Sequence, residues 1–387
     1  MWRLGSAATT ALVALVCATS VQSPPSVEAG DGIRRVPLTI DLGDFQSPAE
    51  LTLPAQATGP LPAVVLIHGS SPSDKDATLP DPYNPGVTLS SIFRDISDEL
   101  TKRGYAVLRY NKHYVNGAGE IDPRYFTQLT LPLLADDAER ALDVAQARPE
   151  VDPNQVFLYG WSEGSTVAAA VAVRRPDVAG LILQGPVAQP WRSLLHQQLT
   201  DVSIPYLRQF APAGAVTAAT LTRAVEGSGG VVAKSVIQLV ADPAALREGR
   251  FEINPQLDQN GDGAISIDAE LIPALPAILD HAFGEGGFLS MYAPDAALPA
   301  LDQQAPNLTH LPILILQGEE DANVPVGDAV RLFEQLVNLG ARDVEIKTYP
   351  GLGHSLGSAT SPIDDNARPI APAPLDDLAR WLAEHTR

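Results

Sequence analysis

The 387-residue chain contains one cysteine, Cys17, and two methionines, and only 6% of it is aromatic. A single thiol forms no intrachain disulfide and no thiolate cluster for a metal. Basic residues are also scarce: 26 Lys and Arg stand against 46 Asp and Glu, a formal net charge of -20. A protein that tracks phosphates needs clustered cations, so a nucleic-acid partner is excluded, and an anionic membrane surface is disfavoured for the same reason. What is plentiful is apolar: 45% of residues are hydrophobic and 19% charged. That balance builds a large core and rules out a disordered or fibrous chain.

The N-terminus has the order of a secretory signal peptide: Arg3, an apolar run from Ala7 to Val21, then small residues and prolines. The run is about 15 residues, too short for a hydrocarbon layer of about 30 Å, so a stable membrane insertion is not expected. Cleavage after Ala29 fits best, and Ser20 is the alternative. A lipoprotein reading would make Cys17 the acylated residue, but Val16 precedes it where a small residue is required. Removal of residues 1–29 leaves a secreted or periplasmic chain with no cysteine at all.

Beyond the signal, short strands are expected at 36–40 and 49–53. The unbroken run Ala63-Val64-Val65-Leu66-Ile67 then predicts a strand buried on both faces. Helical spacing over 92–103, 133–148 and 163–175 alternates with strands at 105–110, 156–159 and 179–183. The alternation stops from Pro186 to Leu311, where helical patches appear at 215–225 and 244–249. It resumes with strands at 312–317 and 343–349 and helices at 326–339 and 375–385. This order predicts an α/β fold with a mostly parallel sheet and helices on both faces. The expected organisation is a core over 30–185 and 312–387, interrupted by a mostly helical cap at 186–311.

Gly-x-Ser-x-Gly occurs twice, at Gly160–Gly164 and Gly353–Gly357. A nucleophilic serine needs a sharp strand-to-helix turn that exposes its oxygen, with glycines relieving the crowding. Ser162 lies between an apolar strand and an Ala/Val-rich helix, whereas Ser355 lies between loops. Ser162 is therefore the candidate nucleophile. Asp321, in the loop after the strand Ile313–Leu316, is the candidate acid, with Glu319 and Glu320 as rivals. His354, in the Gly-rich loop after the last strand, is the candidate base. Developing negative charge needs fixed donors, expected from the backbone N–H groups of Glu163 and Ser70. His68 is expected to shape that second loop and take no part in reaction.

These segments carry a resemblance. VVLIHGSSPSDKD, FRDISDELTKRGYAVLRYNK, VFLYGWSEGS, PILILQGEEDANVP and the loop 350–354 resemble the α/β-hydrolase superfamily. Within it they are similar to bacterial carboxylesterases of the dienelactone-hydrolase and serine-aminopeptidase-like groups. The resemblance implies an eight-stranded, mostly parallel sheet, a Ser162/Asp321/His354 triad, and hydrolysis of a small-molecule ester through an acyl-enzyme without a cofactor. Two segments depart from the pattern. Asn111-Lys112-His113-Tyr114 stands where these esterases usually have Asp-Lys-Arg-Gly, and Trp161 stands where they usually have His. A peptidase or thioesterase on the same scaffold is the alternative, and a non-catalytic calcium-stabilised binding protein is a second. Oligomeric state is not legible.

Inside the cap, Asp258 to Glu270 resembles an EF-hand loop. Asp258, Asn260 and Asp262 stand at positions one, three and five, Gly263 at the turn, and the carbonyl of Ala264 at position seven. Ala269 occupies position twelve and Glu270 follows one place late. A structural calcium ion held by Asp258, Asn260, Asp262, Ala264 and Glu270 is the expectation. Asn307-Leu308-Thr309 reads as a turn, and Trp161 and Trp191 as core residues that border an acyl pocket at most.

Overall fold

The computed structural model describes residues 32–81 and 86–386; the signal-peptide reading of residues 1–29 lies outside them. Eight strands form the main sheet: β1 (Ile33–Asp41), β2 (Gln46–Pro54), β3 (Leu61–Ile67), β4 (Ala106–Tyr110), β5 (Val151–Trp161), β6 (Gly180–Gln184), β7 (Ile313–Gly318) and β8 (Val344–Tyr349). Their order across the sheet is β1-β2-β4-β3-β5-β6-β7-β8. The two pairings of β2 are antiparallel, and those from β4 to β8 are parallel.

Alternation along each central strand divides the apolar core in two. Val65 and Ile67 of β3 join Leu158, Leu181 and Ile315 on one face. There they meet helices α2 (Leu131–Gln146), α3 (Glu163–Arg174) and α4 (Val326–Asn338). Val64 and Leu66 join Phe157, Tyr159, Ile182 and Leu314 on the other, against α1 (Ile92–Lys102) and α5 (Pro372–His385). Both faces of the central strands are covered, as the lack of polar residues in these runs requires.

Several boundaries differ from the sequence reading. Helix α2 begins at Leu131, because the Thr130 side chain accepts the Leu133 N–H at 3.2 Å and caps the helix there. Strand β5 starts five residues early, where Val151 pairs with Leu61 before an irregularity in register. Residues 215–216 are a strand paired with Ile265–Ser266, and the helix expected from Ala215 starts only at Ala218 after its Thr217 cap. The helix expected over 244–249 runs from Pro243 to Arg247.

Between β6 and β7 no described segment joins the main sheet. The chain forms helices at Trp191–Gln198, Ile204–Phe210, Ala218–Glu226, Val231–Val240 and Ile272–Phe283, several of which the sequence reading did not separate. Among the described residues, no helix is long and apolar enough to cross a membrane.

Candidate active site

Parallel strands all deliver their following loops to one edge of a sheet. Successive connections from β3 and β5 run in opposite directions across this sheet, so their C-terminal ends open the crevice where ligands bind in such folds. The loops after β3, β5, β7 and β8 therefore meet there.

Ser162 is the single residue between β5 and α3, with φ 55 and ψ -120. A serine held at positive φ costs about 1–3 kcal/mol, and the surroundings must enforce it. They do so through two close approaches. A Cβ at Gly160 would stand 2.3 Å from the Gly164 carbonyl oxygen, and one at Gly164 would stand 2.2 Å from that of Ile67. The Ser162 N–H donates to Gln184 O at 2.8 Å, tying the turn to β6.

The acid and base loops lock together. A Cβ at Gly318 would meet the carbonyls of Leu352 and Gly353 at 2.4 Å, so the end of β7 and the loop after β8 touch backbone to backbone. His354 Nδ1 lies 2.8 Å from Asp321 Oδ2, and Asp321 Oδ1 accepts the N–H groups of Asn323 and Val324, each at 2.8 Å. Gln317 Nε2 donates to the same Asp321 Oδ2 at 2.9 Å. The His354 carbonyl receives Gln184 Nε2 and the Trp161 indole N–H, and the Trp161 ring lies 5.5 Å from the imidazole. His354 thus sits over the turn that carries Ser162. No hydrogen bond joins Ser162 Oγ to His354 Nε2 among the described residues.

Burial alone would depress the His354 pKa, but the charge of Asp321, its hydrogen bond and the charge of Asp365 outweigh it. The imidazole is raised above its ordinary value. Asp365 itself is raised, first by burial and then by the Asp321 charge.

Ser355, the second Gly-x-Ser-x-Gly serine, lies in a tight loop in which Leu356 has φ 58, and its hydroxyl donates to Arg368 O at 2.7 Å. Glu319 and Glu320, the rivals of Asp321, use their backbone N–H groups to join the loop to Tyr349 and Leu352. His68 is buried, with Nε2 3.1 Å from Asp74 O, and burial lowers its pKa to about 3.

Glu163 opens α3 beside the serine, and Ser70 lies in the loop after β3, so both residues expected to donate N–H groups border the crevice. The sequence reading gave no role to Lys112, Asp365 or Tyr292. Lys112 Nζ contacts Glu163 Oε1 at 2.6 Å and Gly69 O at 2.7 Å, and Tyr292 donates its hydroxyl to Glu163. Of the three, only Lys112 stands in a segment that the sequence had marked, Asn111–Tyr114, set against the Asp-Lys-Arg-Gly of related esterases.

The loop 258–270 lies apart from these groups in the chain. Asp258 Oδ1 accepts the N–H of Gly261 at 2.9 Å, and its Oδ2 accepts that of Gly263 at 3.0 Å. Asn260 and Asp262 accept the N–H groups two residues on, the latter from Ala264. Glu270 lies on a π-helical turn, Ile267–Leu271, which holds one residue more than an α turn. That extra residue brings Glu270 back to the loop, where it accepts the N–H groups of Gln259 and Ser266. Among the described residues no group of three or more His, Cys, Asp or Glu side chains is arranged to hold a metal ion.

With this geometry in view, comparison with known proteins gives two family matches: "Serine aminopeptidase, S33" over residues 87–247 and "Prolyl oligopeptidase family" over 293–371. The esterase EstD of Thermotoga maritima is 33% identical over 153 residues, 39% of this chain and 33% of that protein. The chain belongs to the α/β-hydrolase superfamily. This α/β hydrolase is also 30% identical over 140 residues to YtaP of Bacillus subtilis, 34% of this chain and 46% of that one. It thus spans a third to under half of the length of these two relatives. Among solved structures, Est1E from Butyrivibrio proteoclasticus aligns with a TM-score of 0.46 at 14% identity, covering 90% of this chain and 98% of that one.

Proposed function

We propose that this hydrolase cleaves carboxylic esters of small molecules through an acyl-enzyme on Ser162. The observation that carries the reading is the 2.8 Å bond from His354 Nδ1 to Asp321, with the same imidazole held over the Ser162 turn. Asp321 fixes the tautomer, so that Nε2 is the basic nitrogen, and stabilises the imidazolium. Substrate entry brings Ser162 Oγ into hydrogen-bond reach of Nε2, since catalytic hydrogen bonds commonly tighten only in the complex. Nε2 takes the hydroxyl proton as Oγ attacks the carbonyl carbon. The N–H groups of Glu163 and Ser70 receive the oxyanion. The imidazolium then protonates the departing alcohol, and water, deprotonated by the same nitrogen, releases the acid. No cofactor enters these steps.

The similarity to an esterase supports an ester over other acyl compounds, while the peptidase descriptions of both matching families favour an amide as the second reading. A thioester is a third acyl donor for the same steps. The signal-like residues 1–29 support export to the periplasm or medium. Labelling with a fluorophosphonate, followed by a panel of p-nitrophenyl esters, thioesters and aminoacyl anilides, tests the reading. Loss of labelling and of ester hydrolysis in Ser162→Ala is expected. Hydrolysis that survives this substitution would overturn the mechanism, activity on anilides alone would make the enzyme a peptidase, and no turnover of any acyl donor would leave a binding protein.

A further inference from the structure

Lys112 is almost completely buried, and its three donor directions are all taken. Nζ lies 2.7 Å from Gly69 O, 3.4 Å from Ser71 O and 2.6 Å from Glu163 Oε1. The carbonyl between those two, Ser70 O, receives the Tyr125 hydroxyl at 3.2 Å. Three consecutive carbonyls of the loop after β3 are thus held from the protein side. A trans peptide points its C=O and the next N–H in opposite directions. Fixing Gly69 C=O on Lys112 therefore turns the Ser70 N–H away from the ammonium.

The other oxygen of Glu163 receives the Tyr292 hydroxyl. Tyr292 belongs to the cap, on the 3-10 turn Ser290–Tyr292, and its ring lies tilted against Trp191 of the first cap helix at 4.4 Å between centroids. Burial, with the Glu163 charge adding, holds the Tyr292 phenol well above its usual range, so it remains a donor. Glu163 is fully buried and finds both of its partners here.

We propose that Tyr292 is a positioning residue of the cap that, through Glu163 and Lys112, aims the Ser70 N–H at the substrate oxyanion. The inference rests on the acyl-transfer reading of the site. It makes the stabilisation of the oxyanion depend on a cap residue that touches no reacting atom. Glu163 then has two functions, its backbone N–H facing the substrate and its carboxylate holding the lysine that orders the opposite donor.

The test is Tyr292→Phe in the full-length enzyme, with kcat expressed per serine titrated to completion by a fluorophosphonate. Loss of a whole oxyanion donor costs about 10²–10³-fold in kcat; misaiming one is expected to cost about tenfold or more. KM should hold within about twofold, and the inhibition constant of a trifluoromethyl ketone, whose adduct carries the oxyanion, should rise with the fall in kcat. Tyr206→Phe, which removes another buried cap hydroxyl bonded to Ala224 O, should leave all three unchanged. If Tyr292→Phe does not fold, Glu163→Gln, which keeps the volume and removes the counter-charge of Lys112, should give the same pattern. Normal kcat per titrated serine and normal ketone affinity in the folded variant would overturn the inference while Ser162→Ala still confirms the serine. Activity surviving in Ser162→Ala would remove both.

Discussion

Asp365 Oδ2 accepts the backbone N–H of His354 at 2.9 Å and that of Ala322 at 3.0 Å. One buried carboxylate therefore joins the base loop to the residue after the acid. Its fit is close: a Cβ at Gly353 would stand 2.1 Å from Asp365 Oδ1. Its charge adds to that of Asp321 in raising the His354 imidazole above its ordinary value.

The pH dependence of activity follows from that contact. A general base must be neutral, so kcat/KM rises with pH through the His354 pKa, which lies above its ordinary value. Asp365→Asn can keep both accepted N–H bonds on its amide oxygen while removing a charge. Its pH–rate profile should show the acid limb moved to lower pH, and an unmoved limb would exclude Asp365 as a contributor.

Asp321→Asn should preserve the fold and lower kcat by about 10⁴-fold, because an amide cannot hold the imidazole in the tautomer that leaves Nε2 basic. Burst kinetics with a p-nitrophenyl ester would check this. A loss below about tenfold would shift the acid role to another carboxylate.

Gly164→Ala should abolish labelling by fluorophosphonate and destabilise the protein by about 1–3 kcal/mol. The added methyl would lie 2.2 Å from Ile67 O, and a main-chain carbonyl cannot swing aside as a side chain does. Urea unfolding with an unchanged midpoint would show instead that the turn has room for a methyl group at this position.

His113 should make stability fall as pH rises above about 6.5. Burial lowers its pKa, but the hydrogen bond and charge of Asp137, with Asp44 behind them, raise it above the ordinary value. A histidine that binds its proton more tightly when folded contributes fully below the unfolded pKa, and the contribution fades as pH passes the folded one. Asp137, raised first by burial, has the same sign in its own lower window. His113→Arg, a residue with a permanent charge at the position where related esterases usually have Arg, should flatten the alkaline decline in melting temperature.

Calcium binding at 258–270 is a proposal with a calorimetric test. Calcium at about 1 mM should raise the melting temperature, within the affinity range of extracellular sites. Chelator should reverse the rise, and Asp258→Ala should remove it. No shift would leave the loop as a set of turns closed by Asp258 and Glu270 on backbone N–H groups.

The sheet and the serine turn were legible along the chain, because both are written in short-range chemistry. Ala63–Ile67 has no polar residue to face water, so it had to be buried on both sides. Gly160 and Gly164 flank a serine between a strand and a helix, and only glycines tolerate the approaches found there. His354 and Asp321 followed from their places after strands, since parallel strands carry their loops to one edge. Cap boundaries were less legible, because helices such as Ile204–Phe210 and Val231–Val240 are fixed by packing on one another. The groups around Glu163 came together only on folding: Lys112 meets it across 51 positions and Tyr292 across 129. A lone tyrosine in a Pro- and Ala-rich stretch carries no local sign of a partner that far away. Hydrogen bonds to a buried carboxylate depend on where chain segments cross, and only the folded chain brings those crossings together.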